Sequence, residues 1–335
     1  MPSDNARRGP VRVLVTGAGG PAAVAVMKSL RHDPDVQLLA ADMDPWAAGL
    51  YLVQPEARTV IPPGLQPDFA EIVRQRCVAL EVDVLIPTVD CELRPLAAAR
   101  EAFASCGVAL LLTSDRTLGL TLDKLALARC CAGVARVPRT EPLDGALDPA
   151  GWTYPVIVKP RTGSGSRGIG MIASAGDLAA AARASDEDMI VQEYLPGQEY
   201  SVDVLADEQG RVVSAVPRVR ERVDSGVSVA GRTLHDPELE QLAAAVAGAT
   251  GLTFIANVQC RRDQAGRPAL LEVNPRAPGA LPLTVASGVD MPRLALDALR
   301  GAVLPDHLDF TEMAMVRFLD ERFVGLSEIE AAAAA

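Results

Sequence analysis

Apolar positions in the first third of the chain alternate between two periods. Residues 11–16 (Val-Arg-Val-Leu-Val-Thr) read as a short strand, residues 21–30 repeat their apolar positions with helical spacing, and residues 37–41 form a second strand ending at Asp42. Further strands are expected over 82–86 and 108–112, with helices over 69–80 and 93–105 between them. Strands and helices in this alternation predict a parallel α/β layer over residues 11–113.

The pattern changes from residue 114. A helix over 118–131 leads into a Pro-bearing connection over 137–155, in which 143–150 is the expected mobile surface loop. Strands over 156–159 and 168–173 flank a glycine-rich run and complete a small lobe, residues 114–192. A hairpin of 200–206 and 212–219 turns at Asp207-Glu208-Gln209-Gly210, and helices follow over 237–250 and 292–301. These belong to a larger lobe, residues 193–325, so the fold class is α/β and α+β. No repeat of solenoid length is present.

A further hairpin carries the most informative chemistry. Residues 254–258 are apolar, residues 263–267 supply a Gly-containing turn, and Ala269 resumes the strand pattern toward Leu270-Leu271-Glu272-Val273-Asn274-Pro275-Arg276. A turn centred on Ala265-Gly266 sets Gln259 opposite Glu272, and the period of two puts Asn274 on the same face. One carboxylate and two amide oxygens suit a hard cation such as Mg²⁺ that keeps positions for water or phosphate oxygens. Arg276, at the next same-face position, can meet a phosphate held by that metal. Polar residues on a solvated strand face are the alternative.

The run Gly163-Ser164-Gly165-Ser166-Arg167-Gly168-Ile169-Gly170 lets backbone amides turn toward a phosphate, although a plain hairpin turn has the same composition. Lys159 enters this loop from a strand and can neutralise a phosphate; Lys124 is either a second phosphate-side lysine or an exposed helix residue. Arg218, Arg220 and Arg222 recur at period two ahead of Asp224-Ser225-Gly226, either holding an anion or lining a solvated edge. Gly17-x-Gly19-Gly20 with Ala22 leaves a dinucleotide site open by spacing.

In this order and spacing, Lys124, Lys159-Pro160, the run from Gly163 to Gly170, Glu193, Glu199 and Glu-x-Asn-Pro-Arg resemble the ATP-grasp superfamily. The stretch from Asn257 to Arg276 looks most like one synthetase half of the carbamoyl phosphate synthase large subunit. The resemblance covers residues 11–317. It implies a Rossmann-like layer without a dinucleotide, then a two-lobed ATP-grasp fold. It also implies that Lys124, Lys159, Ser164, Gly165, Ser166 and Gly168 face the ATP phosphates, that Glu193 with the backbone of Tyr194 and Leu195 meets adenine, and that Glu199 holds the ribose. Gln259, Glu272 and Asn274 would hold Mg²⁺, as two ions, with Mn²⁺ as a substitute. The loop after Arg222 departs from carbamoyl phosphate synthase, so the resemblance does not carry the substrate over; by their own charge, size and placement Arg218, Arg220, Ser225, Gly226 and Arg276 are expected to face it. Asp203 reads as structural.

The implied reaction is an ATP-dependent carboxylate–amine ligation through an acyl phosphate, with Arg276 and Lys159 catalytic and the glycine-rich lobe closing against water. A small-molecule kinase, a non-catalytic nucleotide-binding protein and an NAD-dependent reductase are the competing classes. The expected partners are a small carboxylate and an amine, amino acids among them, with a homodimer open.

Composition narrows this further. With 335 residues, 49% hydrophobic, the chain can bury a large core, and a net charge of −11 argues against nucleic-acid or anionic-membrane binding. Residues 1–10 are polar with two arginines and show no leader, and no apolar run approaches a membrane span, so a cytoplasmic enzyme is expected. Six cysteines without a C-x-x-C spacing read as reduced, buried thiols, and three histidines form no triad. The closing alanines, 331–335, are set apart from function.

Overall fold

The computed structural model describes residues 9–163, 165, 168–185, 188–224 and 226–334. Strands β1 (Val11–Thr16), β2 (Val36–Asp42), β3 (Arg58–Val60), β4 (Val84–Ile86) and β5 (Ala109–Leu110) form a parallel sheet in the order β3-β2-β1-β4-β5. Helices α1 (Pro21–Leu30), α2 (Phe69–Ala79), α3 (Asp90–Ala98) and α4 (Arg100–Ser105) alternate with them. Val13 and Val15 of β1 face one core and Leu14 the other, so the sheet is buried on both sides, as parallel sheets require. Proline at the first position of α1 costs nothing, because that amide would lack a helical partner anyway.

The expected helix over 93–105 is two helices meeting at Ala99, with Pro95 inside the first. The helix expected over 118–131 is also divided, into α5 (Asp115–Thr121) and α6 (Lys124–Cys131). Asp123 causes this second break. Its carboxylate accepts from the Leu125 and Ala126 amides, both at 3.0 Å, and from Arg161 at 2.6 and 2.9 Å, so it starts a new helix instead of continuing the old one.

The small lobe holds β6 (Thr140–Pro142), β7 (Val156–Pro160), β8 (Gly170–Ile172), α7 (Ala175–Ala184) and β9 (Met189–Glu193), with sheet order β6-β9-β7-β8. β6 lies inside what the sequence suggested was only a connection. Leu143, at the start of the expected surface loop, is buried with Trp152, Val156, Leu178 and Val191, which ties that end of the loop to the lobe's core.

The large lobe is a six-stranded sheet in the order β14-β13-β10-β11-β12-β15. Its elements are β10 (Glu199–Ala206), β11 (Val212–Asp224), β12 (Val227–Thr233), α8 (Pro237–Thr250), β13 (Phe254–Arg262), β14 (Pro268–Asn274), α9 (Leu281–Ala286), α10 (Met291–Leu299), β15 (Ala314–Val316) and α11 (Leu326–Ala334). Helix α8 is bounded as its sequence signals imply, with Asp236 accepting from the Glu238 and Leu239 amides and Gly251 in the left-handed region at φ 71°. Its Leu239 and Val246 pack against Val202, Val204 and Val258 on the back of the sheet, leaving the other face to the polar residues. No helix among the described residues is long and apolar enough to cross a membrane.

One buried carboxylate ties that polar face together. Asp203 of β10 is fully buried and accepts from Arg218 at 2.6 and 2.8 Å, from Asn257 at 2.7 Å and from Thr284 of α9 at 2.5 Å. Removing it would strand the Arg218 guanidinium, 2% exposed, without its counter-charge. Asp203→Ala is therefore expected to lower unfolding free energy by about 3–5 kcal/mol, read as a shift of the urea midpoint at unchanged slope.

Candidate active site

Cross-strand register assembles the site. Glu272 of β14 pairs with Gln259 of β13, Gln259 with Ser201 of β10, Ser201 with Arg218 of β11, and Arg218 with Thr233 of β12. Since neighbouring side chains across a sheet share a face, these five form one row. Two residues along lies a second row, Asn274, Asn257 and Asp203, and in the other direction Arg261 pairs with Glu199.

The Gln259–Glu272 pairing agrees with the sequence reading, but by a different route. Near the turn the pairs are Arg262 with Pro268 and Cys260 with Leu270, so Leu271 is an extra residue that advances the register by one. Asp263 shapes the turn, its carboxylate accepting from the amides of Ala265 at 2.8 Å and Arg267 at 2.9 Å.

Glu272, Gln259 and Asn274 are half-buried, and among the described residues no side-chain hydrogen bond or ion pair occupies any of the three. That donor set fits a hard cation. Among the described residues no group of three or more Asp, Glu, His or Cys side chains is placed to hold a metal ion, so a metal here would depend on phosphate oxygens or water for its remaining ligands.

Two lysines face this carboxylate. Lys159 is 7% exposed and donates to Gln192 Oε1 at 2.8 Å, and Gln192 in turn donates to Thr140 at 2.8 Å. Burial pushes the Lys159 ammonium down to about 8, against the attraction of Glu272 and with the repulsion of Lys124. Lys124, the first residue of α6 because of the break at Asp123, donates to the Gly163 carbonyl at 2.7 Å, and burial lowers its pKa too. Gly163, Gly165 and Gly168 have φ of 101°, 76° and 70°, a region closed to most side chains. A Cβ on Gly226, in the β11–β12 turn, would stand 3.8 Å from the Gly165 Cα, so two loops meet over the site. Ser164, Ser166 and Ser225 lie outside the described residues.

Several expected ligands already have protein partners. Arg218 is bound to Asp203 within the sheet, so its guanidinium already has a protein counter-charge. Arg220 pairs with Glu199 at 3.2 Å and donates to the Gly226 carbonyl at 2.9 Å, and Arg222 leaves the alternation because β11 is irregular between Arg220 and Arg222. Glu193 receives Arg136 at 2.9 Å and the Arg139 amide at 3.1 Å. Tyr194 is half-buried and Leu195 buried in the segment after β9.

Arg276 does not extend the strand face. β14 ends at Asn274, and the Arg276 guanidinium forms two 2.7 Å hydrogen bonds with Asp90 at the start of α3. Asp90 is the partner that the sequence did not disclose, since 186 residues separate the two. Beside it, Glu92 is buried, receives Thr16 at 2.5 Å, and is raised to about 7 by burial, with the charges of Asp42 and Asp90 adding to that.

A family model described as "ATP-grasp in the biosynthetic pathway with Ter operon" matches residues 185–321, and one described as "PylC-like, N-terminal domain" matches residues 13–111. Pyruvate carboxylase from Rhizobium etli is 21% identical at TM-score 0.73 over 88% of this chain, which spans only 29% of that protein. A biotin carboxylase from Campylobacter jejuni is 18% identical at TM-score 0.73, covering 88% of this chain and 72% of that one. An L-amino acid ligase from Bacillus licheniformis is 17% identical at TM-score 0.67, covering 88% and 75%. The fold is that of these proteins, and together with the family models they support the ATP-grasp superfamily.

The depressed Lys159 sets a pH dependence. Between about 8 and the ordinary 10.5 the unfolded chain binds more protons than the folded one, so stability rises with pH across that window and the penalty is complete below it. The unliganded protein is expected to gain on the order of 3 kcal/mol across the window, and Lys159→Met to abolish that slope in urea titrations.

Proposed function

We propose that this chain is an ATP-dependent carboxylate–amine ligase that forms an amide through an acyl phosphate and releases ADP and phosphate. The observation that carries the reading is the trio Glu272, Gln259 and Asn274 on one sheet face, whose side chains have no hydrogen bond or ion pair among the described residues, with the charges of Lys159 and Lys124 acting on Glu272. The ATP-grasp comparisons support it, and the Asn257 to Arg276 stretch, which looks like a carbamoyl phosphate synthase half, agrees with it.

In this reading Glu272, Gln259 and Asn274 would hold Mg²⁺, as two ions or replaced by Mn²⁺, which would supply neutralisation of the phosphate charge. Lys159 and Lys124 bind phosphate oxygens; the anion would return Lys159 to its ordinary basicity. Gly163, Gly165 and Gly168 would cover the phosphates, a role the sequence also assigns to Ser164 and Ser166. The segment from Glu193 to Leu195 meets adenine, and Glu199 meets the ribose. A substrate carboxylate oxygen attacks the γ-phosphorus as the bond to ADP breaks. Arg276, fixed by Asp90, steadies the transferring group. An amine then attacks the acyl carbon, loses a proton, and expels phosphate. Arg220 and Gly226 would lie on the substrate side, where the sequence also assigns Ser225. No nucleophilic side chain is consumed, but water must be excluded, which suits two loops meeting at Gly165 and Gly226.

ADP release with Mg-ATP, measured over amino acids singly and in pairs with mass spectrometry of products, tests this. Release requiring a pair and yielding an amide is the expected result; release with one compound and a phosphorylated product would replace it with a kinase, and ATP binding without turnover with a binding protein. Glu272→Ala should cut kcat by roughly 10²–10³-fold while leaving the urea midpoint unchanged.

A further inference from the structure

The guanidiniums near the site divide by whether a carboxylate answers them. Arg218 has Asp203, Arg220 has Glu199 and Arg276 has Asp90. Arg317 has none within 4.0 Å among the described residues.

Its position places it with the others. Arg218 pairs with Thr233 and Arg220 with Gly231, while Gly231 pairs on its other side with Met315. Arg317 is two residues beyond Met315, and its amide donates to the Val229 carbonyl at 2.9 Å, so the period of two puts its side chain on the Arg218 and Arg220 face. β15 is the far edge strand from β14, yet the guanidinium reaches back to donate to the Gly279 carbonyl, three residues past Arg276. Gly279 itself is pinned, because a Cβ there would meet Pro21 at 3.2 Å and Val227 at 3.3 Å. The Nε atom is buried with no partner. Burial, and then the charge of Arg218, lower the Arg317 pKa. A half-buried cation with an open donor, and a second cation beside it, is unfavourable unless an anion joins it.

We propose that Arg317 receives a non-reacting carboxylate of a substrate. The carboxylate that attacks ATP loses its charge on becoming an acyl phosphate, so a fixed guanidinium on it would favour the ground state over the transition state. A carboxylate that keeps its charge throughout can be held from binding to release. The substrate class is then an α-amino acid serving as the amine, or a dicarboxylic acid serving as the acid. That this carboxylate does not react, and which molecule carries it, rest on the ligase reading; that Arg317 receives an anion does not.

Two measurements test it. The first is phenylglyoxal labelling of Arg317, followed by peptide mass mapping, with ADP and Mg²⁺ present and a panel of α-amino acids, dicarboxylic acids and their carboxamides added. Carboxylates should slow labelling and the matched carboxamides should not; whether an amino acid or a dicarboxylate protects identifies the source. Protection by no member, or equal protection by carboxamides, overturns the assignment. Protection without any amide product would keep Arg317 as the anion receptor and reject the ligase reading. The second compares Arg317→Gln with Arg317→Lys, both of which keep the backbone pairing to Val229. With the substrate pair identified, Arg317→Gln should raise KM for the protecting substrate by roughly 10²-fold and leave KM for ATP unchanged, with partial rescue in Arg317→Lys. A wild-type KM in Arg317→Gln overturns the proposal.

Discussion

Everything on the polar face of the large sheet depends on the burial of Asp203. A carboxylate removed from water costs several kcal/mol, offset here because both oxygens are filled: two donors from Arg218, one from Asn257, one from Thr284. Those donors come from β11, β13 and α9, so satisfying one charge locks three elements to β10. The row directly alongside carries Glu272, Gln259 and Ser201, whose positions inherit that rigidity.

Charge on this face is shared unequally. Acids and arginines pair within the framework at Asp203, Glu199 and Asp90, while Glu272, Lys124, Lys159 and Arg317 do not complete an ion pair among the described residues. Groups whose partners are protein fix geometry. Those left over are free for what enters from solution, and the two lysines, lowered by burial, regain basicity when an anion arrives.

The N-terminal layer contributes to the site as well as to the core. Its carboxyl-terminal strand ends open toward the large lobe, where such sheets place ligands, and Asp90 after β4 holds Arg276. Gly279 lies against Pro21 at the start of α1, and Arg58 of β3 pairs at 2.9 Å with Glu328 of the last helix. The N-terminal layer and the last helix are thereby joined, with Ile329 and Ala332 on the side of α11 that faces the protein buried.

Local periodicity alone located β1, α1 and α8, because apolar spacing and end residues such as Asp236 and Gly251 act within a few residues of one another. The same holds for the pairing of Gln259 with Glu272, which a short hairpin constrains, although the bulge at Leu271 was not visible. Tertiary structure decided the partners. Asp203 against Arg218, Asp90 against Arg276 and Glu193 against Arg136 gave three residues expected to face ligands a protein partner as well, and Arg317 emerged only because no carboxylate among the described residues answers it. A strand or helix is chosen by neighbours in sequence, whereas a charge is neutralised by whatever the fold brings within a few ångströms, and that distance is not encoded in spacing along the chain.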